Sequence, residues 1–131
     1  FDWEVSRRKY IGSAYSAKIA NHCPWVKTPL IDSCNTSVYS QYTIQLDSRD
    51  EISRKLNQVG IPTAVYYPIP MHRQPVFSEL NLTQTSLDIS EAVAPRVLSL
   101  PMGADLDEEV QNCIVSALRE ATISHSEKLT T

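Results

Sequence analysis

Apolar and polar residues recur along the chain with two different periods. Between Val38 and Leu46 the period is two, which is typical of a strand with one buried face. We expect this strand to bury Val38, Tyr42, Ile44 and Leu46. The period then lengthens to three or four, so Ile52, Leu56 and Val59 predict the apolar stripe of a short helix. The pattern therefore predicts a strand followed closely by an amphipathic helix.

This predicted helix has its own start and stop signals. Residues 48–51 read Ser-Arg-Asp-Glu, the pattern of a capping box in which the serine and glutamate side chains bond each other's backbone amides. Gly60 stands where a left-handed residue ends many helices, Ile61 can make the accompanying apolar contact, and Pro62 prevents continuation. The helix is expected to lie between Ser48 and Gly60.

Other segments carry weaker patterns. A long helix is expected from Asp2 to Asn21, with Trp3, Tyr10, Ala14 and Ala17 at helical spacing. Short extended segments are expected at residues 25–28, 63–67 and 97–100, and a short helix at residues 89–93. Residues 68–86 contain three prolines and predict a long loop with only short structure. Asp105 is expected to cap a final helix whose apolar face is Leu106, Val110, Cys113, Ile114, Ala117, Leu118 and Ala121.

The order of these elements indicates the fold class. Short strands alternate with helices, which favours an α+β fold: a two-layer small domain with a short mixed or antiparallel sheet and helices packed on one face. At 131 residues and 14.7 kDa the chain has the size of a single domain, 1–131, whose polar tail, 124–131, we expect to fray. Since the chain starts at Phe1 and enters a helix at once, we expect it to be a piece of a longer protein.

Charge and composition exclude several classes of function. The net charge is −3 and the 12 basic residues are scattered, whereas nucleic-acid binding needs a positive surface, so we expect no nucleic-acid partner. No apolar run has membrane-spanning length, so we expect no membrane partner and a cytoplasmic location. The 3 cysteines have no paired spacing, which predicts reduced, buried thiols and no metal site.

One segment carries the candidate chemistry. It places Tyr66 and Tyr67 at the end of a predicted strand and continues into a proline-rich loop with His72 and Arg73. Such side chains can stack on a planar group and hydrogen-bond to hydroxyls or phosphate. From the chemistry alone, a ligand-binding loop and an ordinary irregular connection both remain open. No grouping of nucleophile, base and orienting residue is visible, so no catalytic residue is assigned.

The same segment belongs to an ordered set of motifs that resembles a known family. The motifs are Phe1-Asp2-Trp3-Glu4, Tyr42-Thr43-Ile44, Arg49-Asp50-Glu51, the run from Gly60 to Pro75, the run from Val97 to Met102, and the closing helix. Together, over about residues 1–122, they are similar to the C-terminal domain of the DegT/StrS-type nucleotide-sugar aminotransferases. The motifs match the family both in their residues and in their order along the chain.

The resemblance implies a fold-type I, pyridoxal-phosphate-dependent homodimer whose large N-terminal domain carries the cofactor lysine. We therefore expect pyridoxal 5'-phosphate in the parent enzyme and none bound to this chain alone, since none of its five lysines stands in the family's Schiff-base motif. The implied reaction is amino transfer, with glutamate as the expected donor, to a keto carbon of a nucleotide sugar. The segment looks like those of enzymes that aminate 3-keto N-acetylated UDP-sugars for bacterial surface polysaccharide, including lipopolysaccharide. The chain alone is expected to be inactive.

By resemblance, the small domain also contributes a His-Tyr-Pro segment to the nucleotide-sugar pocket. Tyr67 and Pro68 match that segment, whereas Tyr66 takes the place of the histidine and carries no positive charge near neutral pH. His72 matches a histidine of the following Pro-x-His segment. Tyr66, Tyr67 and His72 are therefore the candidate substrate-binding residues. Two other hypotheses stay open: a stand-alone small-molecule-binding or dimerisation module, and a folded scaffold without a ligand.

Overall fold

Four helices and a two-stranded sheet form the part of the chain that the computed structural model describes, residues 1–80 and 87–126. In chain order they are α1 (Asp2–His22), β1 (Tyr42–Gln45), α2 (Arg49–Gln58), α3 (Asp88–Val93), β2 (Val97–Leu100) and α4 (Glu108–Ser126). Short 3₁₀ turns at Met71–Arg73 and Pro75–Leu80 interrupt the loop before α3. The predicted α+β class is confirmed.

The strand β2 is the centre of the sheet and is buried at every position. On one side it pairs antiparallel with β1, placing Thr43 opposite Ser99. On its other side Ser99 exchanges two backbone hydrogen bonds with Ala64, at 3.1 and 2.8 Å. The far edge of β1 is extended in the same way, because Lys27 and Gln45 exchange two bonds of 2.9 Å. Single bridged residues therefore continue the sheet beyond its two strands.

The core lies between this sheet and three helices. Helix α4 packs against both α1 and α2, and α2 also contacts β2. Tyr15 of α1 stacks on Tyr42 of β1 with 4.8 Å between the ring centres, and its hydroxyl donates to the Pro101 carbonyl at 2.9 Å. Burial raises the pKa of both phenols, that of Tyr42 to about 12. The aromatic pair therefore joins the first helix to the sheet.

Both predicted helix caps are wrong in detail, although α2 begins directly after Ser48 as expected. Ser48 adopts a left-handed conformation with φ 54° and its side chain makes no capping bond, while the Glu51 carboxylate forms an ion pair with Lys55 at 3.2 Å. Helix α4 begins at Glu108, and the Gln111 amide donates to the Asp107 carbonyl, so the predicted cap at Asp105 falls two residues too early. The capping patterns thus predicted approximately where the two helices start, but not which hydrogen bonds form there.

The predicted end of α2 is confirmed. Gly60 has φ 82°, its amide donates to the Asn57 carbonyl at 3.0 Å, and the Ile61 amide donates to the Leu56 carbonyl at 2.9 Å. These are the two bonds of a Schellman motif. Ile61 also packs against the core, as expected.

Several predicted apolar positions are solvent-exposed. In α1 the buried face is Ile11, Tyr15 and Ile19, whereas Trp3 is 69% and Tyr10 57% exposed. Ala17 of α1 is exposed as well. Outside α1, the exposed residues from the predicted strand and helix faces are Val38, which precedes the shorter β1, Val59, which follows α2, and Val110 and Cys113 of α4. Of the cysteines only Cys23 is buried, so the prediction of three buried thiols is wrong.

Two further predictions differ from the observed backbone. The strand expected over residues 63–67 is reduced to the single bridge at Ala64, because Pro62 and Pro68, which lack an amide hydrogen, stand on either side of it. Helix α4 continues to Ser126, into the predicted tail, and residues 127–131 lie outside the described ranges. Within the described ranges, every helix is too short or too polar to cross a membrane.

An arginine that the patterns did not reveal joins α2 to β2. Arg49 is 6% exposed, and its Nη1 donates to the Val97 carbonyl at 2.9 Å and to the Ala94 carbonyl at 3.4 Å. Its Nε lies 2.6 Å from Asp50 Oδ1, an ion pair without the angles of a hydrogen bond. A buried guanidinium held by carbonyls thus fixes the place where α3 leads into β2.

Replacing Gly60 by alanine should destabilise the chain through backbone strain alone. A Cβ added there meets no atom within 4 Å, so the cost is that of a left-handed alanine, about 1–2 kcal/mol. Urea unfolding should show this loss in the free energy of unfolding. Gly60→Asn is the matched control and should lose less, because asparagine tolerates the left-handed region. Equal stability of the alanine variant and the wild type would contradict the assignment.

Candidate functional site

An open, mainly apolar groove contains all three predicted site residues. It has a volume of about 690 Å³ and lies between the segment 66–77 on one side and α3 with the start of β2 on the other. Tyr66, Tyr67 and His72 line it. Its apolar lining includes Ile69, Met71, Val76, Phe77, Val93 and Ala94. The structure thus brings together residues that the sequence marked only as neighbours along one loop.

The path of the chain explains how the segment reaches the groove. Ala64 is fixed to β2, and two residues later the chain leaves the sheet through Tyr66 and Tyr67, which are joined by a cis peptide bond. Prolines then restrict the backbone before the turn Met71–Arg73, which closes through a 2.9 Å bond from the Arg73 amide to the Pro70 carbonyl. The loop is therefore irregular, fixed to the sheet at Ala64 and turned at residues 71–73.

The two tyrosine rings stand edge to face at the mouth of the groove. Their centres are 6.1 Å apart and their planes meet at 79°. Tyr67 is 74% exposed and Tyr66 46%, so both rings have surface free for a planar ligand. A smaller cavity of about 240 Å³, lined by Thr63, Ser99 and Met102 among others, also includes Tyr66. Tyr66 therefore lines both concave surfaces.

His72 is held by an ionic cluster between the two walls of the groove. Its Nε2 lies 2.8 Å from Glu91 Oε1, and the side chain of His72 is only 9% exposed. Arg73 donates to the same oxygen from Nε at 3.1 Å and from Nη2 at 2.8 Å. The hydrogen bond with His72 and then those from Arg73 hold the pKa of Glu91 below its ordinary value. Glu91 on α3 thus anchors the loop that carries His72.

Lysines that could hold an aldehyde cofactor are absent from the groove within the described ranges. Lys18 is paired with Glu108 at 3.1 Å, and Lys55 with Glu51 at 3.2 Å. Lys128 lies outside the described ranges. In the same part of the chain, no three His, Cys, Asp or Glu residues form a metal-binding group. The described residues that line the groove do not fit covalent attachment of pyridoxal phosphate, because none of them is a lysine. The groove can bind and orient a ligand, but it supplies no amine for the cofactor.

The sequence profile of the DegT/DnrJ/EryC1/StrS aminotransferase family matches residues 1–119. The chain belongs to this family. Its fold agrees, since the crystal structure of S. venezuelae DesV in complex with a ketimine intermediate superposes with a TM-score of 0.84 at 29% identity, covering 91% of this chain and 32% of that one.

Two curated relatives from the same family narrow the comparison. The UDP-2-acetamido-2-deoxy-3-oxo-D-glucuronate aminotransferase of Pseudomonas aeruginosa is 34% identical over 118 residues, which are 90% of this chain and 32% of that protein. The UDP-N-acetyl-3-dehydro-alpha-D-glucosamine 3-aminotransferase of Acidithiobacillus ferrooxidans is 44% identical over 82 residues, which are 63% of this chain and 22% of that protein. The chain therefore spans at most about a third of the length of these aminotransferases.

Sequence reasoning identified three residues that line the groove but missed its α3 wall and the residue that anchors the loop to that wall. Glu91 lies 19 positions after His72 in the chain, on a different element. No local spacing rule connects a loop histidine to a glutamate on a later helix, because the contact depends on how the intervening chain folds back. Only a search for an acidic partner near each histidine in three dimensions reveals the pair.

Neutralising Glu91 should change how stability depends on pH. Because the pKa of Glu91 is lower in the folded chain than in the unfolded one, its charge stabilises the fold above the unfolded pKa of about 4.3, and this contribution is lost as pH falls through the folded pKa. The free energy of unfolding of Glu91→Gln should therefore lie below that of wild type near neutral pH and approach it in acid. Urea unfolding across this range measures the difference.

The matched control is Glu120→Gln on the exposed side of α4, where the described residues give Glu120 no ion pair. That variant should differ little from wild type at either end of the range. A Glu91→Gln curve that runs parallel to the wild-type curve at every pH would contradict the ionic role of Glu91.

Proposed function

We propose that this chain is the C-terminal small domain of a pyridoxal-phosphate-dependent aminotransferase that acts on a keto nucleotide sugar. The observation that carries the proposal is the groove, because Tyr66, Tyr67 and His72 come from the segment that resembles the family's nucleotide-sugar motif and lie on one concave surface. The cofactor lysine belongs to a separate N-terminal domain of the complete protein. The chain alone is then inactive.

The groove would bind and orient the substrate in three ways. The exposed ring of Tyr67 stacks on a planar base, the hydroxyl of Tyr66 hydrogen-bonds to sugar or phosphate oxygens, and His72 hydrogen-bonds to a sugar hydroxyl. The apolar walls exclude water. When bound in the complete protein, pyridoxal phosphate supplies the electron sink for amino transfer. The chain's own residues contribute orientation only.

The names of the relatives support the proposed substrate class. Both the Pseudomonas and the Acidithiobacillus proteins carry names that specify an N-acetylated UDP-sugar with an oxo or dehydro group at carbon 3. We take a 3-keto N-acetylated UDP-sugar as the acceptor and glutamate as the donor, in a cytoplasmic homodimer that serves surface polysaccharide synthesis, including lipopolysaccharide. Tyr66 stands in place of the family's histidine and, unlike a histidine, carries no positive charge near neutral pH.

The activity is tested on the complete protein that contains this chain. After addition of pyridoxal phosphate, its absorbance between about 300 and 500 nm should show a cofactor band that glutamate shifts, and a 3-keto UDP-N-acetylglucosamine should restore the first band. The 131-residue chain under the same conditions should stay colourless. A complete protein that binds no cofactor, while this chain binds a nucleotide sugar by itself, would support the stand-alone module instead.

Truncating Tyr67 should weaken substrate binding and leave the fold intact. Loss of a base-stacking ring should raise KM for the nucleotide sugar about tenfold with little change in KM for glutamate. Steady-state kinetics of Tyr67→Ala in the complete enzyme measures both values. Tyr10→Ala is the matched control, because Tyr10 is also exposed but lies on α1, outside the groove. Equal KM changes in the two variants would contradict the role of Tyr67.

A further inference from the structure

The ring of His72 is bonded on one side to a group that can only accept hydrogen bonds. Its Nε2 lies 2.8 Å from Glu91 Oε1, and the lowered pKa of Glu91 keeps that carboxyl ionised at neutral pH. An ionised carboxylate has lone pairs but no hydrogen to donate. Nε2 must therefore carry the hydrogen of this bond.

This constraint decides what the other ring nitrogen can do. A neutral imidazole carries one hydrogen, so with Nε2 protonated its Nδ1 has a free lone pair, whereas an imidazolium donates from both nitrogens. In either form Nε2 is taken by Glu91. Among the described residues no side chain or backbone group bonds Nδ1, which leaves it as the ring nitrogen available to a ligand.

We propose that Glu91 is a positioning residue that makes Nδ1 of the neutral His72 ring a hydrogen-bond acceptor for a ligand hydroxyl in the groove. The imidazole is 9% exposed, so its orientation is set by packing and by Glu91 rather than by water. Arg73 donates two hydrogen bonds to the same carboxylate oxygen. These bonds hold the Glu91 carboxylate in place, and the carboxylate in turn holds the imidazole. The identity of the ligand as a sugar rests on the function proposed above, whereas the tautomer rests on the geometry alone.

The chemistry of a neutral acceptor selects a hydroxyl rather than an anion. A lone pair on Nδ1 attracts an O–H donor and repels a phosphate or carboxylate oxygen. The groove around Nδ1 is mainly apolar. When the ligand lacks the hydroxyl, Nδ1 therefore finds few other hydrogen-bond donors, and binding is weaker. His72 should therefore discriminate between a sugar hydroxyl and its deoxy analogue.

The tautomer is measured directly by nitrogen NMR of the histidine rings in the 131-residue chain, which buries its own core. At a pH where the ring is neutral, His72 should show a pyrrole-type Nε2 and a pyridine-type Nδ1. In Glu91→Gln the amide can donate as well as accept, so the two tautomers should mix while the backbone amide spectrum is retained. His22, which is exposed and unpaired among the described residues, is the internal control and should show mixed tautomers throughout.

Two results would overturn the proposed tautomer. One is a neutral wild-type His72 ring with its hydrogen on Nδ1, and the other is a Glu91→Gln spectrum identical to that of wild type. Glu120→Gln should leave the His72 signals unchanged. If Glu91→Gln does not fold, the wild-type spectrum still decides the tautomer.

Two isosteres of histidine then test which nitrogen meets the ligand. The amide of asparagine places an oxygen near the position of Nδ1, and that of glutamine reaches the position of Nε2. In the complete enzyme, His72→Asn should keep KM for the UDP-sugar within about threefold of wild type, whereas His72→Gln should raise it roughly tenfold, with kcat changed less than KM in both.

The reverse order of the two variants would overturn the role of Nδ1. An enzyme without transaminase activity would overturn the function proposed above and with it the sugar hydroxyl. The NMR result would still stand in that case, so the two failures are distinguishable.

Discussion

Two backbone hydrogen bonds between Ala64 and Ser99 are the constraint on which the position of the groove depends. Ser99 lies in β2, whose four residues are all buried, and the bonds measure 3.1 and 2.8 Å. Because backbone groups in the core must find partners, this exchange is costly to break. The chain can leave the sheet only after Ala64, and Tyr66 and Tyr67 follow directly. An edge of the core thus determines where the aromatic part of the groove lies.

The second anchor of the groove is ionic and acts on its opposite wall. Glu91 on α3 binds both His72 and Arg73, so it connects the irregular loop to the helix that precedes β2. Arg49 binds the carbonyls at the junction of α3 and β2 from the other side. Both ends of the loop therefore depend, directly or through α3, on the same buried strand. A loop without regular structure can hold a defined shape because its ends are fixed in this way.

Local rules predicted those features that local interactions control. The end of α2 followed from Gly60 and Ile61, since a Schellman motif needs only neighbouring residues, and β2 followed from four consecutive buried residues. The start of α2 after Ser48 was predicted, but its capping bonds were not, because the Ser48 side chain makes no cap bond and Glu51 pairs with Lys55. The strand predicted over residues 63–67 is a single bridge at Ala64. Its residues favour a strand, but the prolines on either side have no amide hydrogen to donate to a neighbouring strand.

Features that depend on distant contacts escaped the patterns. Arginine is usually a surface residue, yet Arg49 is buried and donates to backbone carbonyls 45 and 48 positions later in the chain. Glu91 likewise meets His72 only because the loop folds back onto α3. The site residues themselves came from a motif, which places residues in order but does not give their geometry. Sequence therefore identified three residues of one wall of the groove, and the fold showed the other wall and the contacts that hold the loop to it.

The most direct test of the central claim is a crystal structure of the complete protein with UDP-N-acetylglucosamine bound. We expect ligand density in the groove, with the base against the ring of Tyr67 and a hydroxyl within hydrogen-bond distance of His72 Nδ1. Density for the nucleotide sugar elsewhere, with Tyr67 and His72 covered by protein alone, would contradict it.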